Sequence, residues 1–164
     1  MSLIVSRCTE TADAPALARF FVDHVTPDYI SHGELTTGRA TAPGVWAPDL
    51  EARVLAEMRE AIAEPKHHRQ VLTARKADEL LAVCMVCRDE RGIATIEDLV
   101  VAQSQRGQGV GRAVVEAVLA ALAADGVVQV LLESGVANAG AHRFFEGLGF
   151  EMVSKVFYRR VGPS

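Results

Sequence analysis

The sequence predicts a single domain, residues 1–164, of mixed α/β structure, with a mixed sheet of six to seven strands and helices on both faces. Three closely spaced strand-like runs between residues 70 and 102 predict an antiparallel meander, because tight turns join only antiparallel neighbours. A helical pattern separates two strand-like runs between residues 96 and 133, which predicts a parallel β-α-β step after the meander. A length of 164 residues suits one domain with a substantial core.

The first third is predicted to supply one strand and two helices. Leu3–Cys8 is a short apolar run, and Ala16–Val25 carries apolar residues at helical spacing. Residues 28–48 contain glycines and prolines that interrupt regular structure, which predicts a long loop. Such a loop is either functional or a mobile surface segment. The second helix is predicted over Asp49–Ile62, with Asp49 as its N-cap.

The remaining elements complete the predicted sheet. Leu80–Arg88 is very apolar and is therefore expected at the centre, whereas the continuous apolar run Val127–Glu133 predicts a strand buried on both faces. Helices are expected over Gly111–Ala124 and after Asn138, whose side chain suits an N-cap. The other strands are expected over Gln70–Ala77, Ile96–Ala102 and a final hairpin, Glu151–Val153 with Val156–Val161.

Composition argues against several classes of protein. The formal net charge of −4 does not favour a nucleic-acid partner, and no apolar run is long enough to span a membrane. The N-terminus lacks a signal-peptide pattern, and the three cysteines are an odd number, so we expect a cytoplasmic protein without a disulfide framework. Cys84 and Cys87 lie in an apolar strand, and His67-His68 has no third ligand nearby, so we expect no metal site.

The stretch from Ile96 to Gly111 is the strongest functional feature. It has the pattern of a strand that feeds a loop with glycine at positions 107, 109 and 111, and a helical pattern follows at once. Glycine lets main-chain amides approach a ligand, and a helix start offers unpaired N–H groups and the positive end of the helix dipole. Together these features predict an anion site, most naturally for phosphate. The loop has neither the lysine of a P-loop nor the dinucleotide spacing G-x-G-x-x-G.

The glycine spacing fits Arg/Gln-x-x-Gly-x-Gly, with Arg106, Gly109 and Gly111 in the fixed places. This pattern resembles the pyrophosphate loop of the GNAT superfamily, whose members transfer acyl groups from acyl-CoA to amines. The lead-in Leu99-x-Val101 is also similar to the family, although Gln103 stands where the family usually has proline.

A second stretch, Asn138 to Phe150, resembles the superfamily pattern Asn-x-x-Ala-x-x-Phe-Tyr-x-x-x-Gly-Phe. The resemblance implies a GNAT-like fold and an N-acetyltransferase that uses acetyl-CoA, without a metal. It implies direct transfer, in a ternary complex, to a primary amine of a small metabolite or of a protein or peptide, and a homodimer is an option because dimers are frequent in the family. The residues implied in binding coenzyme A are Leu99, Val100, Val101, Arg106, Gly107, Gln108, Gly109, Val110, Gly111, Arg112, Asn138 and Phe145.

The resemblance leaves the catalytic groups open. Phe145 stands where the family has the tyrosine that protonates the leaving thiolate, so that role is vacant or passes to Tyr158 or Tyr29. Glu133 resembles the glutamate that precedes the asparagine helix in ribosomal-protein alanine acetyltransferases, where a base role is assigned. A base must take a proton from the amine, and the candidate carboxylates are Glu97, Glu133 and, ranked lower, Asp98.

Acceptor recognition is expected from the irregular stretch and from the strand before the glycine loop. Glu97 and Asp98 are adjacent on that strand, so only one of them can face the acceptor. The alternative to an enzyme is an acyl-CoA-binding sensor or a catalytically silent homologue, which Phe145 motivates. The residues expected to bind the acceptor are Tyr29, His32, Glu34 and Asp98.

Overall fold

The computed structural model describes residues 1–64 and 69–163, so the predicted solvated pair His67-His68 lies outside the described residues. Short 3-10 turns lie at Thr11–Asp13, Pro27–Tyr29 and Gln103–Gln105. No helix in the described ranges is long and apolar enough to cross a membrane. The elements are β1 (Leu3–Arg7), α1 (Ala14–His24), α2 (His32–Thr37), β2 (Ala40–Ala42), β3 (Val45–Trp46), α3 (Leu50–Ala63), β4 (Gln70–Lys76), β5 (Glu79–Arg88), β6 (Ile93–Val101), α4 (Val110–Ala124), β7 (Gln129–Leu132) and α5 (Ala139–Glu146).

The chain divides into two compact units. The larger unit consists of Met1–Val25 and Pro48–Glu133 and contains the main sheet. The smaller unit consists of Thr26–Ala47 and the chain from Ser134 onward, and it contains α2, the β2–β3 ribbon and α5. Two compact units can belong to one domain, so the single domain expected from chain length stays a prediction.

The main sheet has the strand order β1-β4-β5-β6-β7. The first three neighbouring pairs are antiparallel, and β6 pairs with β7 in parallel across the helix α4. The predicted mixed α/β class, with a meander followed by a parallel step, is therefore confirmed. Short turns close the meander: Gly92 has a φ of 78°, and its amide donates to the carbonyl of Asp89.

Within the described residues, the main sheet has five strands rather than the six to seven expected. The predicted final hairpin is wrong, because within the described residues the chain from Glu151 to Pro163 contains no strand and every side chain is exposed. Phe157 and Val161 are each 93% exposed. A strand depends on ladder hydrogen bonds from a neighbour, so the alternation of apolar residues could not by itself form this hairpin.

The centre of the sheet is β5, as its apolar sequence predicts. Each residue from Leu81 to Val86 is buried. Successive side chains of a strand point to opposite faces, so both faces of β5 are covered. The helices α1 and α4 both contact this strand, which agrees with the expected helices on both faces.

The prediction that the strand after α4 is buried on both faces is wrong. β7 ends the sheet, and its side chains alternate between exposed and half-buried, with Leu131 50% exposed. Burial of a strand on both faces requires elements packed over both faces, and an apolar run alone does not supply them.

The stretch predicted to be an irregular loop contains regular structure. Ser31 and Glu34 form a capping box that starts α2: the Ser31 hydroxyl accepts from the amide of Gly33, and the Glu34 carboxylate accepts from the amide of Ser31 at 2.7 Å. The pattern Ser-x-x-Glu is readable from sequence and identifies this helix start. Asp49 does precede α3, but its carboxylate makes no cap bond and instead accepts from Arg53 at 2.9 Å, which lowers the pKa of Asp49.

Candidate active site

The sheet opens where β6 and β7 part. The parallel pairing ends at Ile96 and Leu132, whereas β6 continues to Val101 and stays paired with β5 along its other edge. Between the pairs Asp98–Met85 and Ile96–Val86 the register shifts by one residue, which makes Glu97 the extra residue of a β-bulge. Bulges bend a strand and end pairing. Within the described residues, the edge of β6 from Glu97 to Val101 therefore has no neighbouring strand on the β7 side.

The glycine loop follows this open edge directly. A 3-10 turn over Gln103–Gln105 leads into it, and Gly107 and Gly109 have φ values of 76° and 83°. A Cβ atom at either glycine would meet no protein atom within 4 Å, so packing does not demand glycine here. The left-handed backbone does demand it, and Gly109 in that conformation serves as the N-cap of α4.

Main-chain amides in this loop divide into two sets. The amides of Arg106 and Gln108 donate to turn carbonyls, those of Gln103 and Gln105, at 3.4 and 3.3 Å. Among the described residues, the amides of Gly107 and residues 109–112 have no main-chain acceptor. Since the first amides of a helix lack intrahelical partners and sit at its positive end, these N–H groups form a cluster suited to an anion.

The side chains of the loop are engaged within the protein. Arg106 donates through Nη2 to the carbonyl of His24 at 2.6 Å, and Gln108 donates through Nε2 to the carbonyl of Ser104 at 2.9 Å. Arg112 pairs with Glu116 at 3.3 Å, one helical turn along α4. Each of these three side chains therefore has a partner within the protein, and the two guanidinium groups have further N–H donors.

The two leading base candidates flank the opening of the sheet. Glu97 and Glu133 each follow the last β6–β7 pair, Ile96 with Leu132, by one residue. Glu97 accepts a bond from Nε of Arg69 at 2.7 Å, and both side chains are only about a third exposed, at 32% and 27%. Glu133 is exposed. The two residues therefore hold equivalent positions on the two strands but differ in their surroundings, because Glu97 is partly covered and paired with Arg69 whereas Glu133 is exposed.

Asp98 is the buried acid of this region, with 2% of its surface exposed. Asp98 lies opposite Met85 on β5. Burial of the Cys84 thiol, together with the negative charge of Asp98, raises the pKa of that thiol. A carboxylate so covered is poorly placed to meet an acceptor from solvent. The contact of Asp98 with the acceptor stays a prediction.

The other predicted site residues lie in the smaller unit. Glu34 is 6% exposed, and its carboxylate is shared between Ser31 and the buried Arg39, 4.0 Å away, so its contacts are structural. Tyr29 is half-buried and its ring lies 6.1 Å from that of Trp46, while His32 is the first residue of α2.

The second signature forms a short helix with local support. Asn138 caps α5 as predicted: its side-chain oxygen accepts from the amide of Ala141 at 3.2 Å. Phe145 lies in an aromatic cluster, 5.0 Å from the ring of Phe144 and 5.8 Å from that of Phe150. Tyr158 follows in the exposed C-terminal segment and is 47% exposed.

Sequence reasoning missed a close approach in this unit. A Cβ at Gly135 would collide with the main-chain carbonyl groups of Asp28 and Ile30, so only glycine allows these two chain segments to meet. The carbonyl of Gly135 also lies 2.9 Å from Nε2 of His142. Nothing in the local sequence signals such a contact, because its partners are more than a hundred positions away.

Comparison with known proteins agrees with this geometry. The model of the acetyltransferase (GNAT) family matches residues 38–150, more than two thirds of the chain. A GNAT-family protein from Desulfovibrio desulfuricans superposes with a TM-score of 0.71 at 17% identity, over 93% of this chain and 87% of its own. An aminoglycoside acetyltransferase from an uncultured soil metagenomic sample, in complex with sisomicin, superposes with a TM-score of 0.66 at 17% identity, over 98% and 97%.

A third structure, a tetramutant of a Bacillus halodurans protein, superposes with a TM-score of 0.73 at 19% identity, over 96% of this chain and 99% of its own. At such identities the superpositions establish the shared fold, and the family match covers both the glycine loop and the asparagine helix. The chain therefore belongs to the acetyltransferase (GNAT) family.

Proposed function

We propose that this chain transfers an acetyl group from acetyl-CoA to a primary amine of a small metabolite, a peptide or a protein. The observation that carries the proposal is the cluster of open amides at Gly107 and residues 109–112. A diphosphate has oxygen atoms for several such donors at once, and each charge-assisted bond contributes about 1.5–3 kcal/mol net. The membership in an acetyltransferase family supports coenzyme A as the diphosphate carrier.

The open edge of β6 supports a position for the pantetheine arm and the thioester. Main-chain groups of Leu99–Val101 that point away from β5 have no neighbouring strand among the described residues. An extended amide-containing ligand can use such an edge as a further strand would. The proposal therefore assigns Leu99, Val100 and Val101 to the arm and the glycine loop to the diphosphate.

The chemistry requires a neutral amine. Its nitrogen attacks the thioester carbonyl, the C–N bond forms, the C–S bond breaks, and the amine proton passes to a base directly or through water. Glu97 and Glu133 are the proposed bases, because both flank the opening where the thioester would lie. A carboxylate at this place also attracts the acceptor while its amine is still a protonated cation.

Protonation of the leaving thiolate is assigned to Tyr158 or to solvent. Phe145 has no hydroxyl group, so it cannot supply the proton. A thiolate whose conjugate acid has a pKa of about 8.5 leaves without an obligatory acid. Tyr29 and His32 are proposed as acceptor contacts, whereas the buried carboxylates of Glu34 and Asp98 are better explained by structural roles.

The proposed function is tested by measuring acetyl transfer. Purified chain is incubated with acetyl-CoA and a panel of amines that includes polyamines, amino sugars and peptide N-termini, and free thiol release is measured. We expect release that depends on one class of amine and a product heavier by one acetyl group in mass spectrometry. An absence of coenzyme A affinity would contradict the proposal at its foundation.

Phe145 favours one other function, an acyl-CoA-binding sensor. The same assay separates the two functions. Tight binding of acetyl-CoA, without thiol release on any amine in the panel, would favour the sensor over the enzyme.

A further inference from the structure

The C-terminal residue of α1, His24, bonds to both ends of the turn that precedes the glycine loop. The amide of Gln103 donates to Nδ1 of His24 at 3.2 Å, and Arg106 donates through Nη2 to the main-chain carbonyl of the same residue at 2.6 Å. Gln103 is the first residue of the 3-10 turn from which the loop starts, and Arg106 is its C-cap. These contacts join positions about eighty residues apart in the sequence.

The element that carries His24 is firmly packed. In α1, Leu17, Ala18 and Phe21 have no exposed surface, and the helix contacts β5 and β6. The imidazole ring itself is held against Phe20, with the ring centroids 4.4 Å apart. The position of Nδ1 is therefore set by the core of the larger unit and not by the loop.

The chemistry of the two bonds is specific. An Nδ1 atom accepts an N–H bond through the lone pair in the plane of the imidazole ring, so this bond depends on the ring nitrogen itself. The carbonyl of His24 belongs to the last turn of a helix, where carbonyl groups lack intrahelical partners and carry partial negative charge, so a guanidinium group is a favourable partner.

We propose that His24 is a positioning residue for coenzyme A binding: it holds the turn 103–106 so that the amides of Gly107 and residues 109–112 converge on one anion. His24 touches neither the diphosphate nor the thioester in this role. The inference rests on the proposed function, because it concerns the same loop, and it adds a residue outside both family signatures.

The test compares two variants. His24→Leu removes the acceptor and keeps an apolar side chain against Phe20, whereas His24→Asn offers a side-chain oxygen close to the place of Nδ1. Calorimetric titration with coenzyme A should show the dissociation constant rising by about fivefold or more in the Leu variant, as expected from the loss of one hydrogen bond, and by much less in the Asn variant.

Pantetheine, which lacks the diphosphate, supplies the readout that separates positioning from a general loss of structure. Its inhibition of turnover should be the same in wild type and both variants. The inference would be overturned, without affecting the proposed function, by either of two results. One is equal coenzyme A affinity in wild type and His24→Leu. The other is a loss of pantetheine affinity in His24→Leu that is as large as the loss of coenzyme A affinity. A wild-type chain without coenzyme A affinity would instead overturn the proposed function.

Discussion

The two segments that carry the family resemblance are held in place by different means. The glycine loop lies between β6 and α4, and α4 buries Val110, Val114, Val115 and Val118. The asparagine helix α5 buries none of its residues, and every side chain from Glu151 to Pro163 is exposed. Local hydrogen bonds hold α5 instead. The side chain of Asn138 caps its start, and the main-chain carbonyl of Phe145 accepts from the amides of Leu148 and Phe150.

This difference indicates where preorganisation lies. An anion site works best when its donors are fixed before the ligand arrives, and the core of the larger unit fixes the loop. The helix α5 depends on local hydrogen bonds, each of modest net value. Changes in the loop should therefore act mainly on ligand binding, whereas changes around α5 should act mainly on local stability.

The largest effect is expected for Gly109→Asp. The substitution introduces a carboxylate among the open amides and a side chain at a φ of 83°, so coenzyme A binding should be abolished. Calorimetric titration with coenzyme A measures the loss.

The matched control for that variant is Gly126→Asp. Gly126 has a φ of 80°, lies just past the end of α4, and a Cβ there would also meet no atom within 4 Å. The backbone strain is therefore alike, but the site is distant from the loop amides in sequence. Unchanged coenzyme A affinity in Gly109→Asp would refute the assignment of the loop.

The next effect concerns the two carboxylates that flank the sheet opening. Glu97→Gln and Glu133→Gln remove a base without a large change in shape, and the variant that lacks the true base should lose about a hundredfold or more in kcat. The KM for acetyl-CoA should change little in both variants. Steady-state kinetics across pH measures the split, with Glu60→Gln on α3 as the control.

If both variants keep full turnover, neither carboxylate is the base. If only Glu133→Gln is impaired, the ion pair of Glu97 with Arg69 has a structural role. The first result would remove the proposed catalytic role of the sheet opening, and the second would assign that role to Glu133.

A smaller effect is expected for Asn138→Ala. Loss of the N-cap bond to the amide of Ala141 should lower the free energy of unfolding by about 1 kcal/mol, and Asn138→Asp should retain most of it. Chemical denaturation measures the change. A weakened coenzyme A affinity at unchanged stability would show that Asn138 binds the ligand, as the family resemblance implies, and would reverse the contrast drawn above.

The smallest effect concerns the hairpin turn before β6. The amide of Ile93 and the guanidinium of Arg91 hold the pKa of Asp89 below its usual value. A carboxyl group whose pKa is lower in the folded state stabilises the protein above its unfolded-state pKa, and that contribution is lost as the pH falls through the folded-state pKa. Asp89→Asn should therefore be slightly less stable than wild type at neutral pH, and the difference should disappear in acid.

Denaturation at a series of pH values tests this expectation. Asp78→Asn, in the turn between β4 and β5, is the control because it changes the same residue type in another turn of the meander. A stability difference that stays constant into acid would contradict the role of the Asp89 carboxylate.

Much of the fold follows from local sequence patterns. The meander, the parallel step and the helix behind the glycine loop follow from hydrophobic periodicity and turn residues, with ends displaced by a few residues. The start of α2 is also determined by a local pattern, the capping box of Ser31 and Glu34. The glycines and prolines around it predicted a loop and outweighed that pattern. The absence of the final hairpin could not be predicted, because a strand needs a partner strand and the alternation of apolar residues does not show whether one is present.

The sequence by itself determined that a glycine loop, placed between a strand and a helix, would present main-chain amides to an anion, since backbone conformation and helix ends are local properties. Only the tertiary structure decided which amides stay open, that the sheet opens beside a bulge at Glu97, and that Arg106 bonds to the carbonyl of His24. The physical reason is that these features depend on contacts between distant parts of the chain. Such contacts form only when a packed core brings those parts together, and no short sequence pattern records them.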